Sequence, residues 1–327
     1  MYPQTRLRRL RTNLLRPLFT ETRLVDEDFI LPLFFDEAAV EKREIASMPG
    51  QFRYPLSDAA NLAKTLFEEG VRTVLLFGIP KEKDACATSA FAEFGVIQQA
   101  VRMMKEVAPS LVVITDLCAC EYTNHGHCGI ISETCGGGFE LDNDASLELI
   151  SKIAVSQARA GADIVAPSCM LDGQVSKIRA ALDEAGFTNT PIMSYSTKFA
   201  SGLYGPFRSA ADSAMAFGNR KSYQMNPANA REALRESELD AAEGADVLMV
   251  KPAGLYLDVL SAVRNIGLPT AAYHVSGEYA MIKSAAQNGW IDEKTVVLET
   301  MTSIKRAGAD LIITYYTRDI LRWMHEK

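Results

Sequence analysis

Apolar residues along the chain fall into short dense runs, separated by stretches where they recur every three or four positions. Eight runs stand out: FILPLFF (29–35), the segment within GVRTVLLFG (70–78), LVVITDL (111–117), GADIVAPS (161–168), PIMSYS (191–196), GADVLMVKP (244–252), TAAYHV (270–275) and GADLIITYY (308–316). Runs that are nearly all apolar and rich in β-branched residues predict strands buried on both faces. Between them, stretches such as LELISKIAVSQARA (147–160) and YLDVLSAVRNI (256–266) carry the helical period. Four runs share one phrase, a helix-like stretch, a glycine and then the apolar run. Glycine readily takes the left-handed conformation that ends a helix, so each phrase reads as a helix stop followed by a strand. The eight-fold alternation predicts an α/β fold, a closed (β/α)8 TIM barrel over residues 26–327, with an extended N-terminal arm over residues 1–25. An open doubly wound sheet is the alternative, but no G-x-G-x-x-G follows the first run.

Composition narrows the class. With 327 residues and 48% apolar content, the chain can fill one large barrel. Its net charge of −7 argues against a general nucleic-acid binder, which presents a basic face. No apolar run reaches the length of a membrane span. Arg6, Arg8, Arg9, Arg11 and Arg16 crowd the start without the apolar stretch of a secretory signal. An arm packing on a partner subunit is the preferred reading, with an Arg-rich transit segment and a solvated tail as alternatives. Six cysteines without a secretory signal point to a reducing, cytoplasmic setting.

In a barrel of this kind the chemistry sits where the strands end. There the chain carries Asp116 with Cys118 and Cys120, Ser168, Lys198 just beyond the fifth strand, Lys251, Ser276 and Tyr315. The densest stretch is DLCACEYTNHGHCG (116–129). Cys118 and Cys120 are two apart, so in extended chain they point the same way, and Gly126 lets the chain return Cys128 toward them. Three thiolates hold zinc tetrahedrally with one position open, the arrangement of a catalytic site. A fourth ligand from His125, His127 or Cys135 would make the site structural, and a loop with no metal is the plain alternative. Cys86, Cys135 and Cys169 read as scattered, incidental thiols.

Lys251 ends the run DVLMVK. Lysine is rarely buried without a partner. It either snorkels to solvent or is an amine kept neutral by desolvation, nucleophilic toward a carbonyl. Lys198 shares the rim, and a second ammonium would lower the pKa of the first further. The long connection 197–226, with Gly202, Gly205 and Gly218, reads as an active-site lid. Its cations Arg208, Arg220 and Lys221 either face solvent or recognise a carboxylate.

DLCACEYTNHGHCG, SYSTKFAS, YGPFR, GNRKSYQMNP, LMVKPAG, VSGEYAMIK and SIKRAGADLI together resemble the 5-aminolevulinate dehydratase (porphobilinogen synthase) family, over nearly the whole chain. The resemblance implies a lyase of tetrapyrrole (heme) biosynthesis that condenses two 5-aminolevulinate molecules into porphobilinogen with loss of two waters. It implies that Lys251 forms a Schiff base with the substrate supplying the propionate side, and Lys198 with the one supplying the acetate side. Arg208, Arg220 and Gln224 would grip the carboxylate of the acetate-side molecule, while Ser276 and Tyr315 would bind the other. A catalytic zinc would sit on Cys118, Cys120 and Cys128, as in the zinc-dependent branch, with Asp116 handling protons. Glu236 matches the position of an activating magnesium at a subunit interface, on what reads as an exposed helix. A homo-octamer is implied, its arms embracing neighbouring barrels. Cys135 and Gly136–Gly138 depart from the family pattern. The rival readings are another Schiff-base aldolase, which needs one lysine and no thiol cluster, and a non-catalytic zinc-binding assembly protein.

Overall fold

All eight apolar runs become strands of one parallel sheet: β1 (Phe29–Asp36), β2 (Thr73–Ile79), β3 (Val112–Leu117), β4 (Ile164–Pro167), β5 (Met193–Lys198), β6 (Val247–Lys251), β7 (Thr270–His274) and β8 (Leu311–Thr314). The computed structural model describes residues 3–133 and 139–326. From β5 through β8 and β1 to β4, each strand pairs with the next around the ring, β1 pairing with β8. Between β4 and β5 the ring closes through a bridge from Val165 to Ile192, where the Val165 amide donates to the Pro191 carbonyl at 3.1 Å. The closed barrel therefore prevails over the open sheet.

Around the strands lie α1 (Ala59–Glu68), α2 (Val96–Val107), α3 (Asn143–Ala160), α4 (Gln174–Glu184), α5 (Gly205–Ala210), α6 (Ala230–Glu243), α7 (Leu257–Val263), α8 (Ser276–Gln287), α9 (Glu293–Ala307) and α10 (Thr317–His325). The recurring glycine ends a helix each time. Gly161 and Gly244, after α3 and α6, sit at φ 103° and 104°, where a Cβ would strain the backbone. The aspartate that follows has a task the phrase alone does not announce. Asp163, Asp246 and Asp310 each accept a hydrogen bond from an amide at the base of the preceding strand: Val113 at 2.7 Å, Ile192 at 2.8 Å and Thr270 at 2.9 Å. These carboxylates stitch the bottom of the barrel.

Among its described residues the N-terminal segment forms short 3-10 turns, Leu7–Leu10 and Arg16–Phe19, and leaves Leu7, Leu14 and Leu18 63%, 83% and 72% exposed. Cys135 and Gly136–Gly138 lie outside the described residues. Among those described, no helix is long and apolar enough to cross a membrane.

Candidate active site and metal centre

The register of β5 on β6 pairs Lys198 with Lys251. Strand β5 runs two residues past its expected end at Ser196, so Lys198 is its last residue and not part of the following loop. Both lysines are only 5% exposed, which rules out snorkelling for Lys251. Its Nζ lies 4.1 Å from the ring centroid of Tyr273, 4.9 Å from Tyr195 and 5.1 Å from Phe207. Burial first, and the Lys198 ammonium second, pull the Lys251 pKa down to about 7. Asp116, Glu121 and Cys120 offset part of that shift. Lys198 goes the other way. Burial pushes it down, but the negative charge carried by the cysteine trio, Cys128 foremost, and by Asp116 outweighs this and raises it above the ordinary value. Its Nζ donates to the Ser168 carbonyl at 2.5 Å. One lysine is thus poised to be neutral while its neighbour stays charged.

Asp116, near the end of β3, is buried beside both lysines. Its Oδ2 accepts from the Ser168 hydroxyl at 3.1 Å, while Oδ1 has no partner among the described residues. Burial raises its pKa, and Lys251 and Lys198 counter part of the rise. Gln157 on α3 holds this strand end from outside, donating to the Asp116 carbonyl at 3.0 Å and accepting from Thr115 at 2.9 Å.

Beyond Leu117 the chain turns instead of staying extended: the Tyr122 and Thr123 amides both donate to the Ala119 carbonyl at 2.9 Å. This turn, and not a strand-like alternation, brings the Cys118 and Cys120 sulfurs to 3.3 Å. Cys128 returns to them, and the three sulfurs lie within 4.8 Å of one another, all buried. Asp116, Cys118 and Glu121 form a second, overlapping group of the same compactness. Hydrogen bonds from Cys118 and Cys120 hold Cys128 well below the usual thiol range. Cys118 and Cys120 are pushed well above it, Cys118 by burial and Cys120 by hydrogen bonding to Cys118 and Cys128. Left to themselves, the thiols share one negative charge. A divalent cation would let all three ionise, so the donor set fits a metal.

The lid covers this constellation. Its ends are joined by a bridge between Phe199 and Met225, with the Met225 amide donating to the Lys198 carbonyl at 3.1 Å. Its outer edge is pinned by Lys83, which pairs with Asp212 at 2.7 Å. Arg220 is only 5% exposed and donates to the carbonyls of Gly126 at 2.8 Å and Ser213 at 3.1 Å. The solvent-facing alternative therefore fails for Arg220. Asp116, Cys120, Lys198, Arg220 and Lys251 line one cavity of about 10 Å³, room for a single water, so the lid must lift to admit a substrate.

Other expected residues lie off that cavity's wall. The Ser276 hydroxyl accepts from the Phe207 amide at 3.0 Å and donates to the Leu203 carbonyl at 3.2 Å, fastening the lid to α8. Tyr315 is buried with its hydroxyl 3.2 Å from that of Tyr273, one ring away from Lys251. Arg208 is half-buried on α5. Gln224 is buried with Nε2 unpartnered among the described residues and borders a separate cavity of about 370 Å³ that also holds Asp172, Glu232 and Glu236. Glu236 is half-buried, not exposed, and burial followed by the charges of Asp172 and Glu232 raises its pKa.

Three features escaped the sequence reading. Cys169 is not scattered: it is buried against the trio, its sulfur 3.7 Å from the Leu117 carbonyl and close enough to Cys118 to perturb it. Glu121, between two of the thiols in sequence, is buried, and burial and then Asp116 push its carboxyl up to about 7. Its place inside CACEY was the available signal. Tyr195 and Tyr273 enclose Lys251 from neighbouring strands, and nothing local in sequence marks them.

A closed (β/α)8 barrel with buried amines, acids and thiols under a lid at the C-terminal mouth of its strands has the layout of a barrel enzyme. The model of the family "Delta-aminolevulinic acid dehydratase" matches residues 4–323. The delta-aminolevulinic acid dehydratase of Synechococcus elongatus is 53% identical over 326 residues, 99% of this chain and 100% of that protein. That of Bacillus subtilis is 52% identical over 323 residues, 98% of each. A crystal structure of the Toxoplasma gondii enzyme (porphobilinogen synthase), in complex with the reaction product porphobilinogen, superposes with a TM-score of 0.94 at 43% identity, covering 98% of this chain and 92% of that one. The chain belongs to the delta-aminolevulinic acid dehydratase family, lyases of porphyrin biosynthesis.

Proposed function

We infer that the chain performs the family's reaction, joining two molecules of 5-aminolevulinate into porphobilinogen with loss of two waters, and that its two buried lysines hold the two substrates. The observation that carries this reading is the pairing of Lys198 and Lys251 in register beneath one lid. An aldolase needs one such amine, and two adjacent ones suit the joining of two ketones. The neutral form of Lys251, a large share of the amine near pH 7, attacks the ketone of the substrate that supplies the propionate side; water leaves and an imine forms. Lys198 does the same for the acetate-side molecule, after giving up its proton within the site. Asp116, buried beside both amines and accepting from Ser168, passes protons between them, a role its shared cavity with the lysines supports.

Arg208, Arg220 and Gln224 bind the carboxylate of the acetate-side molecule. The unpartnered Nε of Arg208 and Arg220 and Nε2 of Gln224 support this assignment, since a buried donor without an acceptor is unfavourable until a ligand supplies one. Ser276 and Tyr315 bind the other carboxylate, and Ser276 must first exchange its lid contacts for the substrate. Cys118, Cys120 and Cys128 hold zinc, which when bound supplies a Lewis acid at the acetate-side position. A magnesium ion on Glu236 fits the acidic company of Asp172 and Glu232. The exposed leucines of the arm favour its docking on a second copy in a homo-octamer. The free cysteines, four of them buried, suit a reducing cytoplasm.

The test is a colour assay for the pyrrole formed from 5-aminolevulinate, run with and without a chelator. The expected result is activity lost with the chelator and restored by zinc but not by magnesium alone. No pyrrole under any condition contradicts the reaction, and full activity in metal-free protein contradicts the zinc assignment.

A further inference from the structure

The lid does not rest on the barrel alone. Much of it rests on the segment between Cys120 and Cys128. The Ala216 amide donates to the His125 carbonyl at 3.1 Å, and Arg220 donates to the Gly126 carbonyl at 2.8 Å. His127 spends both ring nitrogens on the lid: Nε2 lies 3.1 Å from the Phe217 carbonyl and Nδ1 3.0 Å from the Tyr223 hydroxyl. A carbonyl can only accept, so Nε2 carries a hydrogen, and in the neutral ring Nδ1 accepts from Tyr223. The ring also packs on Phe217, centroid to centroid 5.0 Å.

Gly126 shows how close the two segments come. It sits at φ +73°, and a Cβ added there would lie 2.4 Å from the Ala214 carbonyl oxygen of the lid. A larger residue would have to push the lid away. The same short stretch that carries the lid also carries Cys128, the residue next to His127.

We propose that His127 is a positioning residue that latches the lid to the thiol loop, so that metal occupancy and lid closure reinforce one another. The proposal rests on the reading that Cys118, Cys120 and Cys128 hold a metal. A cation on the three sulfurs fixes the backbone from Cys118 to Cys128, and with it the carbonyls and ring on which the lid docks. Coupling of this kind is reciprocal: if the metal steadies the lid, the lid must tighten the metal by the same factor. Metal loading thus prepares the site for closure over substrate.

The experiment combines amide hydrogen exchange with zinc-affinity measurement by chelator competition, using the full chain without substrate. In wild type, stripping the metal should speed exchange in the lid segment 213–223. His127→Phe keeps a ring against Phe217 but removes both hydrogen bonds. It should weaken zinc binding about tenfold or more, the usual size for a group that orients a ligand from outside, and speed lid exchange with zinc present. Tyr223→Phe removes one bond and should shift both readouts in the same direction by less; it decides the matter if His127→Phe does not fold. A zinc titration that finds no metal on the cysteines sinks the metal reading itself. Tight zinc binding with lid exchange indifferent to metal, or variants with wild-type affinity, overturns the coupling alone.

Discussion

The two ends of the barrel are built from similar residues and treat them oppositely. At the base, Asp163, Asp246 and Asp310 each accept an amide from the preceding strand, and Asp163 also pairs with Lys105 at 2.9 Å. At the mouth, Asp116 Oδ1, Glu121 Oε1, Arg220 Nε and Gln224 Nε2 are buried without partners among the described residues. Each such atom costs about 1–3 kcal/mol. A fold tolerates that expense where a ligand will later supply the missing bonds. The base therefore serves stability and the mouth serves binding, a division general to barrels of this class.

The sharpest way to probe the contrast is to relieve the mouth of its most unfavourable group. Lys251→Met should lose activity by about 10⁴-fold or more, because the covalent anchor and the local concentration it provides vanish together. The same variant should be more stable than wild type. The folded pKa of Lys251, about 7, is below the roughly 10.4 of a free lysine. Between those values the unfolded chain binds the extra proton, so wild-type stability climbs with pH, and the penalty is complete below about pH 7. Removing the amine should gain about 2–4 kcal/mol near neutral pH, fading toward about pH 10, as read by denaturant melts across that range.

Arg220, proposed to bind a substrate carboxylate, also holds the lid on the thiol loop. Arg220→Ala should raise KM about 10–100-fold through the lost charge-assisted bonds to substrate. It should also destabilise the protein by about 1–2 kcal/mol, since the Gly126 and Ser213 carbonyls lose their donor. At the base, Asp246→Ala should cost about 1–3 kcal/mol of stability, by stranding the Ile192 amide, and leave kcat unchanged. The smallest effect should come from Arg208→Ala, with KM up about tenfold and stability within about 0.5 kcal/mol of wild type, as for a half-buried lid residue. An Asp246 variant that loses kcat but not stability would break the division between the two ends.

The comparison also explains what could be read in advance. The strands announced themselves because parallel strands buried on both faces are apolar almost throughout, and every such run became a strand. The chemistry at strand ends was visible for the same reason: a lysine closing DVLMVK, or an aspartate closing VVIT, interrupts an apolar pattern. What stayed hidden depends on residues far apart in sequence. Cys169 reaches the thiol trio from the turn after β4, and Tyr195 and Tyr273 meet Lys251 from strands on either side of it. The burial of Arg220 follows from the lid docking on the thiol loop, a contact spanning 94 positions. Even the Cys118 and Cys120 pairing was expected on a wrong local geometry, because spacing alone does not distinguish extended chain from a tight turn.

The central claim is that the mouth holds Lys251 as a neutral, nucleophilic amine beside a charged Lys198. It is tested most directly by trapping the imine formed with 5-aminolevulinate using borohydride over a range of pH, then mapping the labelled peptide. The account predicts label on Lys251 first, rising with pH to half its maximum near about pH 7 as the amine deprotonates. Label confined to Lys198, or a midpoint near the ordinary lysine value of about 10.4, would contradict it.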